Sequence, residues 1–148
     1  MGAEVRLRDV VDADLETLFA QEQEPEANRL AHFPARPRDA FLAHWRTRIL
    51  GNPDGRAQAV EVDGELAGSI VAWWQDGRRF VGYWFGRAFW GRGVGTAALR
   101  LFLAGEAARP LYADPHADNV ASVRLLEKCG FRREGTNEDG FVTLVLRD

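Results

Sequence analysis

The stretch Trp90-Gly91-Arg92-Gly93-Val94-Gly95-Thr96 decides how the rest of the chain is read. It lies between a strand-like run, Arg79–Phe85, and a segment Thr96–Ala107 in which Leu99, Phe102 and Leu103 mark the buried face of a helix. Glycines at such a junction let the main chain approach a ligand and adopt torsions that a side chain forbids. The helix that follows offers N–H groups without intrahelical acceptors and the positive end of its dipole. Together these favour a phosphate. Arg92 adds a cation and Thr96 a hydroxyl. The competing reading is a flexible turn that happens to be rich in glycine. Among phosphate ligands, a nucleoside triphosphate loop is excluded because no Gly-Lys-Ser/Thr is present. A dinucleotide site is the stronger rival: Gly93-x-Gly95-x-x-Ala98 has its spacing, and Asp114 follows ~20 residues on. Against it, Arg87 to Trp90 separate the strand from the glycines, the unit begins after an antiparallel hairpin, and too little chain follows Asp114 for a second nucleotide-binding half.

Upstream of the glycines, Gln58–Val62 and Leu66–Trp74 read as strands joined by Asp63-Gly64, a strong hairpin signal. Gln75-Asp76-Gly77 turns the chain into Arg79–Phe85, so the three strands form an antiparallel meander. Earlier still, Val5–Arg8 alternates as a first strand, and Asp12 and Asp14 introduce a helix carrying Leu15, Leu18 and Phe19. Pro25, Pro34 and Pro37 make residues 25–37 a helix-breaking stretch, and Phe41, Trp45 and Ile49 then mark a second helix stopped by Gly51–Gly55. Downstream, Leu111–Ala113 is a short buried strand and Asn119–Cys129 a helix closed by Gly130, with Phe131 folding back on Leu126. Phe141–Leu146 follows the turn Asn137-Glu138-Asp139-Gly140 as the last strand. The expectation is an α+β fold, helices flanking one mixed sheet.

The 148 residues argue for a single domain spanning 1–148, and 46% hydrophobic with 28% charged residues is ordinary globular composition. A formal charge of −3 gives no basic face for nucleic acid. Cys129 alone excludes an internal disulfide and a cysteine-rich zinc cage, and no metal is expected. No apolar run approaches the ~18 residues of a membrane span. The opening Met1–Arg8 lacks the apolar core of a secretory signal, and Gly2 is a poor lipidation site because position 6 is Arg6. The expected location is cytoplasmic.

The glycine stretch followed by Asn119-x-x-Ser122-x-x-Leu125-x-x-Lys128-Cys129-Gly130-Phe131 is similar to the GNAT N-acetyltransferase superfamily. Gly82-Tyr83-Trp84-Phe85-Gly86 and Trp90-Gly91 resemble its branch of ribosomal-protein alanine acetyltransferases, and the resemblance covers residues 4–146. It implies a twisted mixed sheet of six or seven strands with about four helices, split in a V between the third meander strand and Leu111–Ala113. Acetyl-CoA, as co-substrate, lies in that V. The resemblance further implies a pyrophosphate held by the main chain of Gly91, Arg92, Gly93, Val94, Gly95 and Thr96. Pantetheine pairs with Phe85, Gly86 and Arg87, and Asn119 reaches the pantetheine arm. Trp90 stands where Gln or Arg often opens the loop, which backbone binding tolerates. A tyrosine often used to protonate the leaving thiolate falls on Leu126, which cannot donate. Ser122, one turn earlier, is the expected replacement. Helix capping is the competing role for both Asn119 and Ser122.

Acetyl transfer to an amine needs an uncharged nucleophile, a stabilised oxyanion and a protonated leaving thiol. Main-chain N–H groups near Phe85 and Gly86 are the expected oxyanion donors, a contribution of ~10²–10³ in rate each. An α-amine of pKa ~7.8 is neutral about once in seven molecules at pH 7, a lysine of ~10.4 about once in 2,500. The base candidates are Asp114 and His116 at the exit of the strand Leu111–Ala113, and Glu22 and Glu24 in the segment expected to wall the acceptor site; His116 is the best matched to neutral pH. Glu22, Glu24 and Glu26 otherwise read as an exposed acidic face able to attract a cationic amine, and deprotonation through water is the remaining route. His32 and His44 are read as structural. Of adjacent Trp73 and Trp74 one must face the core, the other a helix, the cleft or a partner. The expected activity is direct acetyl transfer to a small-molecule or protein N-terminal amine, by a monomer or homodimer. A non-catalytic acyl-CoA-binding module is the alternative.

Overall fold

Two tight hairpins organise the sheet. Asp63 and Gly64 take positive φ (49° and 86°), as do Asp76 and Gly77 (51° and 77°), which is what two-residue turns between twisted strands require. The computed structural model describes residues 3–148, so the reading of Gly2 lies outside the described residues. Its sheet has seven strands in the order β1-β2-β3-β4-β5-β7-β6: β1 (Val5–Asp9), β2 (Arg56–Val62), β3 (Glu65–Gln75), β4 (Arg78–Phe85), β5 (Leu111–Ala113), β6 (Arg132–Thr136) and β7 (Val142–Leu146). All neighbours are antiparallel except β4 and β5.

The helices are α1 (Leu15–Glu22), α2 (Pro25–Ala31), α3 (Arg38–His44), α4 (Val94–Ala104) and α5 (Val120–Lys128). One face of the sheet packs Ile70, Val81, Leu111 and Leu144 against Leu99 and Phe102 of α4 and Val123 and Leu126 of α5. The other face packs Ala59 under Leu15 and Leu18 of α1 and Phe41 and Trp45 from the α3 region. Asp14 anchors the entry to α1: Arg8 grips both its carboxylate oxygens at 2.8 Å, and the Val11 N–H donates to it at 2.9 Å.

The architecture is the expected α+β mixed sheet, with five helices in place of about four. The additional helix, α2, lies inside the segment expected to break helices. Pro25 is its first residue, where the missing N–H costs nothing, and Glu24 caps it by accepting the Glu26 N–H at 3.1 Å. Pro34 and Pro37 fall after its end, where the chain turns into α3. Strand β6 had no signature because every one of its residues is exposed, so no alternation marks it. Helix α4 begins two residues before the expected Thr96 and stops at Gly105, short of Ala107. The helix marked by Phe41, Trp45 and Ile49 is α-helical to His44 and continues as a wider π-turn over Trp45–Ile49, where the Leu50 N–H reaches Trp45 O at 2.8 Å. Among the described residues no helix is long and apolar enough to cross a membrane.

Candidate active site

Strands β4 and β5 pair only at Arg79↔Leu111 and Phe80↔Tyr112, and then diverge. From Val81 to Phe85, β4 keeps β3 on one side and has no strand on the other. The Gly86 N–H donates to Ala67 O at 2.8 Å, which makes that pair a hydrogen-bonded one in the antiparallel ladder. Alternation then turns the N–H and C=O of Tyr83 and Phe85 toward the open side. The expectation that Gly86 donates to an oxyanion is therefore corrected: its N–H faces β3. Tyr83 and Phe85 hold the open-edge donors. The Phe85 carbonyl on that edge already accepts the Trp90 indole N–H at 3.0 Å.

A cavity of about 820 Å³ occupies the gap. It passes from one face of the sheet to the other. On the α4–α5 face it is lined by Phe85, Gly91, Gly93, Gly95, Thr96, Asn119 and Ser122; on the α1–α2 face by Leu30, Phe33, Trp73 and Trp84. Asp114 and Pro115 lie where β5 ends.

The three glycines of the loop serve two purposes. Gly91 and Gly93 have φ of 69° and 74°, with open space where a Cβ would stand, so backbone torsion is what demands them. Gly95 lies within α4, and a Cβ there would collide with Leu125 Cδ1 of α5. Its absence lets the two helices touch. The first helical bond of α4 runs from the Ala97 N–H to Gly93 O at 3.2 Å, so the N–H groups of Val94, Gly95 and Thr96 precede any intrahelical bond. These residues line the cavity, as the phosphate reading expects. Arg92 is exposed, its guanidinium 5.6 Å from the Phe89 ring. Arg87 is exposed and donates to Glu24 at 2.8 Å. Arg124 and Lys128, one turn apart on α5, add cations to the lining that the motif reading passed over.

Neither Asn119 nor Ser122 is used as a cap. Asn119 is the residue before α5 but makes no side-chain cap bond, and it lines the cavity half-buried. Ser122 Oγ lies 2.6 Å from the Tyr83 hydroxyl, which also reaches Ser122 O at 3.2 Å. Burial pushes the Tyr83 phenol well above its ordinary pKa, so it stays protonated. Leu126, at the position where the resemblance places a tyrosine, is buried in the core. Tyr83 is the site residue missed in the sequence. An alternating strand gives no sign that a phenol at one end of the cleft meets a helix 39 residues later.

The two base candidates differ in kind. His116 is buried, with Nε2 bonded to Asp139 O at 2.8 Å and Nδ1 accepting the Asp118 N–H at 3.1 Å. Its ring also stacks on His32 at 3.4 Å, and His32 Nε2 lies 2.6 Å from Asp118 Oδ2. Both nitrogens of His116 are committed, and His32 has partners that its place in the sequence did not reveal. Asp114 forms no ion pair among the described residues, and desolvation in the cleft raises its carboxyl above the usual range. Although it is solvent-accessible in the open cleft, protein surrounds it on several sides.

The acidic face is not free to attract amines. Glu22 is buried and gripped by Arg36 at 2.7 and 3.3 Å, Glu24 is held by Arg87, and Glu26 by Arg29. Neither Trp73 nor Trp74 joins the buried core, against the expectation that one of them would: Trp73 lays its ring across Gly82 in the cleft, where a Cβ on that glycine would meet it at 3.2 Å. Trp74 points to the opposite face and is 53% exposed.

No curated protein matches the chain in sequence. Among solved structures, a domain from Methanocaldococcus jannaschii superposes with a TM-score of 0.83 at 16% identity, covering 99% of each chain. An acetyltransferase from Thermus thermophilus gives 0.83 at 21% identity over 97% of each. The aminoglycoside acetyltransferase AAC(6')-Ib, in complex with coenzyme A and kanamycin, gives 0.79 at 21% identity over 97% of this chain and 95% of that one. These likenesses concern the fold. Sequence carries the family: residues 4–132 match the acetyltransferase (GNAT) domain, and the chain belongs to that family of acyltransferases.

Proposed function

We propose that this acyltransferase domain moves acetyl from acetyl-CoA to a primary amine by direct attack in a ternary complex. The observation that carries the reading is the cavity that crosses the sheet at the β4–β5 gap, with the glycine loop on one face and an aromatic chamber on the other. Thioester and amine then meet at the gap without sharing an entrance. The residues present fit the co-substrate: the start of α4 offers main-chain donors to a diphosphate, Arg124 and Lys128 add charge, and the open edge of β4 suits an extended amide arm.

In this reading Asp114 receives the ammonium and takes its proton. The freed nitrogen attacks the thioester carbon, and the developing oxyanion is met by the Phe85 and Tyr83 N–H groups. As the C–S bond breaks, Ser122 Oγ–H gives its proton to the sulfur. The Tyr83 phenol has one hydrogen; donated to Ser122 Oγ, it turns the serine hydrogen toward the cleft. The products are the acetamide and the free thiol: the attacking nitrogen sheds its second proton, through water, to the Ser122 oxygen that protonated the sulfur, and Asp114 releases the first to solvent. Tyr83 thus positions the donor that Leu126 cannot be. Thr96 and Asn119 contact the phosphate and the pantetheine arm.

Calorimetric titration with acetyl-CoA, followed by thiol release on a panel of amines, tests the reading. Expected are saturable binding and amine-dependent thiol release. Binding without release from any amine would mark a regulatory acyl-CoA-binding module.

A further inference from the structure

The α1–α2 half of the cleft carries a chemistry of its own. Glu22, which lines that wall, is gripped by Arg36 at 2.7 Å; Glu24 and Glu26, outside the lining, pair at the surface with Arg87 at 2.8 Å and with Arg29, whose Nε donates at 3.0 Å. Asp118, at the rim, lies 2.6 Å from His32. Asp114 is left as the single acid in the cleft without a cationic partner among the described residues. Around it the chamber is aromatic and aliphatic. Trp73 lies across Gly82, Phe33 tilts against Trp84 with centroids 5.7 Å apart, and Leu30 and Phe141 complete the lining. The Trp84 indole N–H is already spent on Gln21 O at 3.0 Å, so its ring offers a face and no donor.

A molecule with several ammonium groups must surrender the hydration of each on entering, and here one carboxylate awaits them. A molecule with one ammonium on an apolar body loses hydration once, regains a carboxylate, and buries its body against rings. The chamber is also bounded on one side. The stacked rings of His32, at the end of α2, and His116, in the β5–α5 loop, stand 3.4 Å apart and tie those two segments together. The His116 end of that tie lines the cavity and narrows it on one side, which leaves more room for a compact molecule than for a polypeptide.

We propose that the acceptor is a small primary amine with a single positive charge on an aromatic or branched apolar body, its ammonium on Asp114 and its body against Phe33, Trp73 and Trp84. This rests on the acetyl-transfer reading above. The test compares 2-phenylethylamine with kanamycin and with a Phe-led tetrapeptide at fixed acetyl-CoA, reading thiol release, while acetyl-CoA affinity is measured separately. Expected is a kcat/KM for 2-phenylethylamine at least tenfold above either rival. Phe33→Ala, a change at an exposed ring, is expected to raise the KM for 2-phenylethylamine at least fivefold and leave acetyl-CoA affinity unchanged. Equal or better use of kanamycin or of the peptide overturns the inference and leaves acetyl transfer standing, as does an unchanged KM in Phe33→Ala. Acetyl-CoA binding with no amine acetylated overturns the acetyl-transfer reading itself, and this inference with it.

Discussion

The two ends of strand β4 share β3 as a neighbour and have opposite properties. At the closed end, Arg79 pairs with Leu111 of β5, and its buried guanidinium donates to Glu106 at 3.3 Å and to Asp54 O at 2.6 Å. At the open end, Tyr83 and Phe85 turn main-chain groups into a cavity, and Asp114 opposite has no ion partner among the described residues. Polar groups at the closed end are satisfied by the protein, except Arg79 Nε, which has no partner. At the open end β4 has, among the described residues, no strand beyond Phe80 to pair its free edge, and only the Phe85 carbonyl there takes a side-chain donor, the Trp90 indole. A sheet can thus keep its stability and its reactivity apart by letting two strands part company after two residue pairs.

Substitutions at each end ought therefore to act on different quantities. The largest effect is expected from Arg79→Leu, which leaves buried Glu106 with only the 3.9 Å contact to Arg56 and frees Asp54 O of its donor, and should cost about 3 kcal/mol in urea unfolding, the low end for a broken buried pair. A loss below about 1 kcal/mol would dissolve the contrast. Gly93→Glu is next: it forces a side chain onto a φ of 74° and sets a negative charge at the proposed diphosphate site. Acetyl-CoA affinity should fall at least ~100-fold by calorimetry, equivalent to about 2.7 kcal/mol, with the circular dichroism of the fold retained.

Smaller effects sharpen the comparison inside the open end. Ser122→Ala should lower kcat about 30-fold, somewhat less than the ~10²–10⁴ of a well-placed general acid because water can stand in for the hydroxyl, without changing acetyl-CoA affinity. Tyr83→Phe should lower kcat about fivefold, and the double variant should be no slower than Ser122→Ala alone, because in the proposed mechanism the phenol acts through the serine. Additive losses would make Tyr83 merely structural. Asp114→Asn gives the smallest effect, on stability. The carboxyl pKa of Asp114 is raised by folding, so the ionised form is disfavoured in the native state. The amide variant should be slightly more stable than the parent at neutral pH, and that gain should vanish below the unfolded carboxyl pKa of ~3.9, where both states are protonated. Urea unfolding at the two pH values reads the sign.

Local chemistry made much of this legible. Gly130 and Phe131 close α5 as the sequence implies, with the Gly130 N–H on Glu127 O at 3.1 Å and the Phe131 N–H on Leu126 O at 3.0 Å. The hairpins at Asp63-Gly64 and Asp76-Gly77 and the loop glycines were likewise readable, because each requirement lies within a few residues. The remaining elements lack a clear signal for two reasons, a misleading local pattern or a distant partner. Proline density hid α2, whose capping depends on Glu24, and complete exposure hid β6. Trp73 in the cleft, the arginines that silence Glu22 and Glu24, and the meeting of Tyr83 with Ser122 all depend on how the sheet brings separate segments together.

The missing side chain at Gly95 brings α4 and α5 into direct contact. With nothing between the α4 backbone and Leu125, the helix start proposed to take the diphosphate rides on the helix that carries Ser122. On the proposed mechanism, seating the carrier's anionic end would set the position of the proton source at its other end, as a key's bow fixes the angle of its bit.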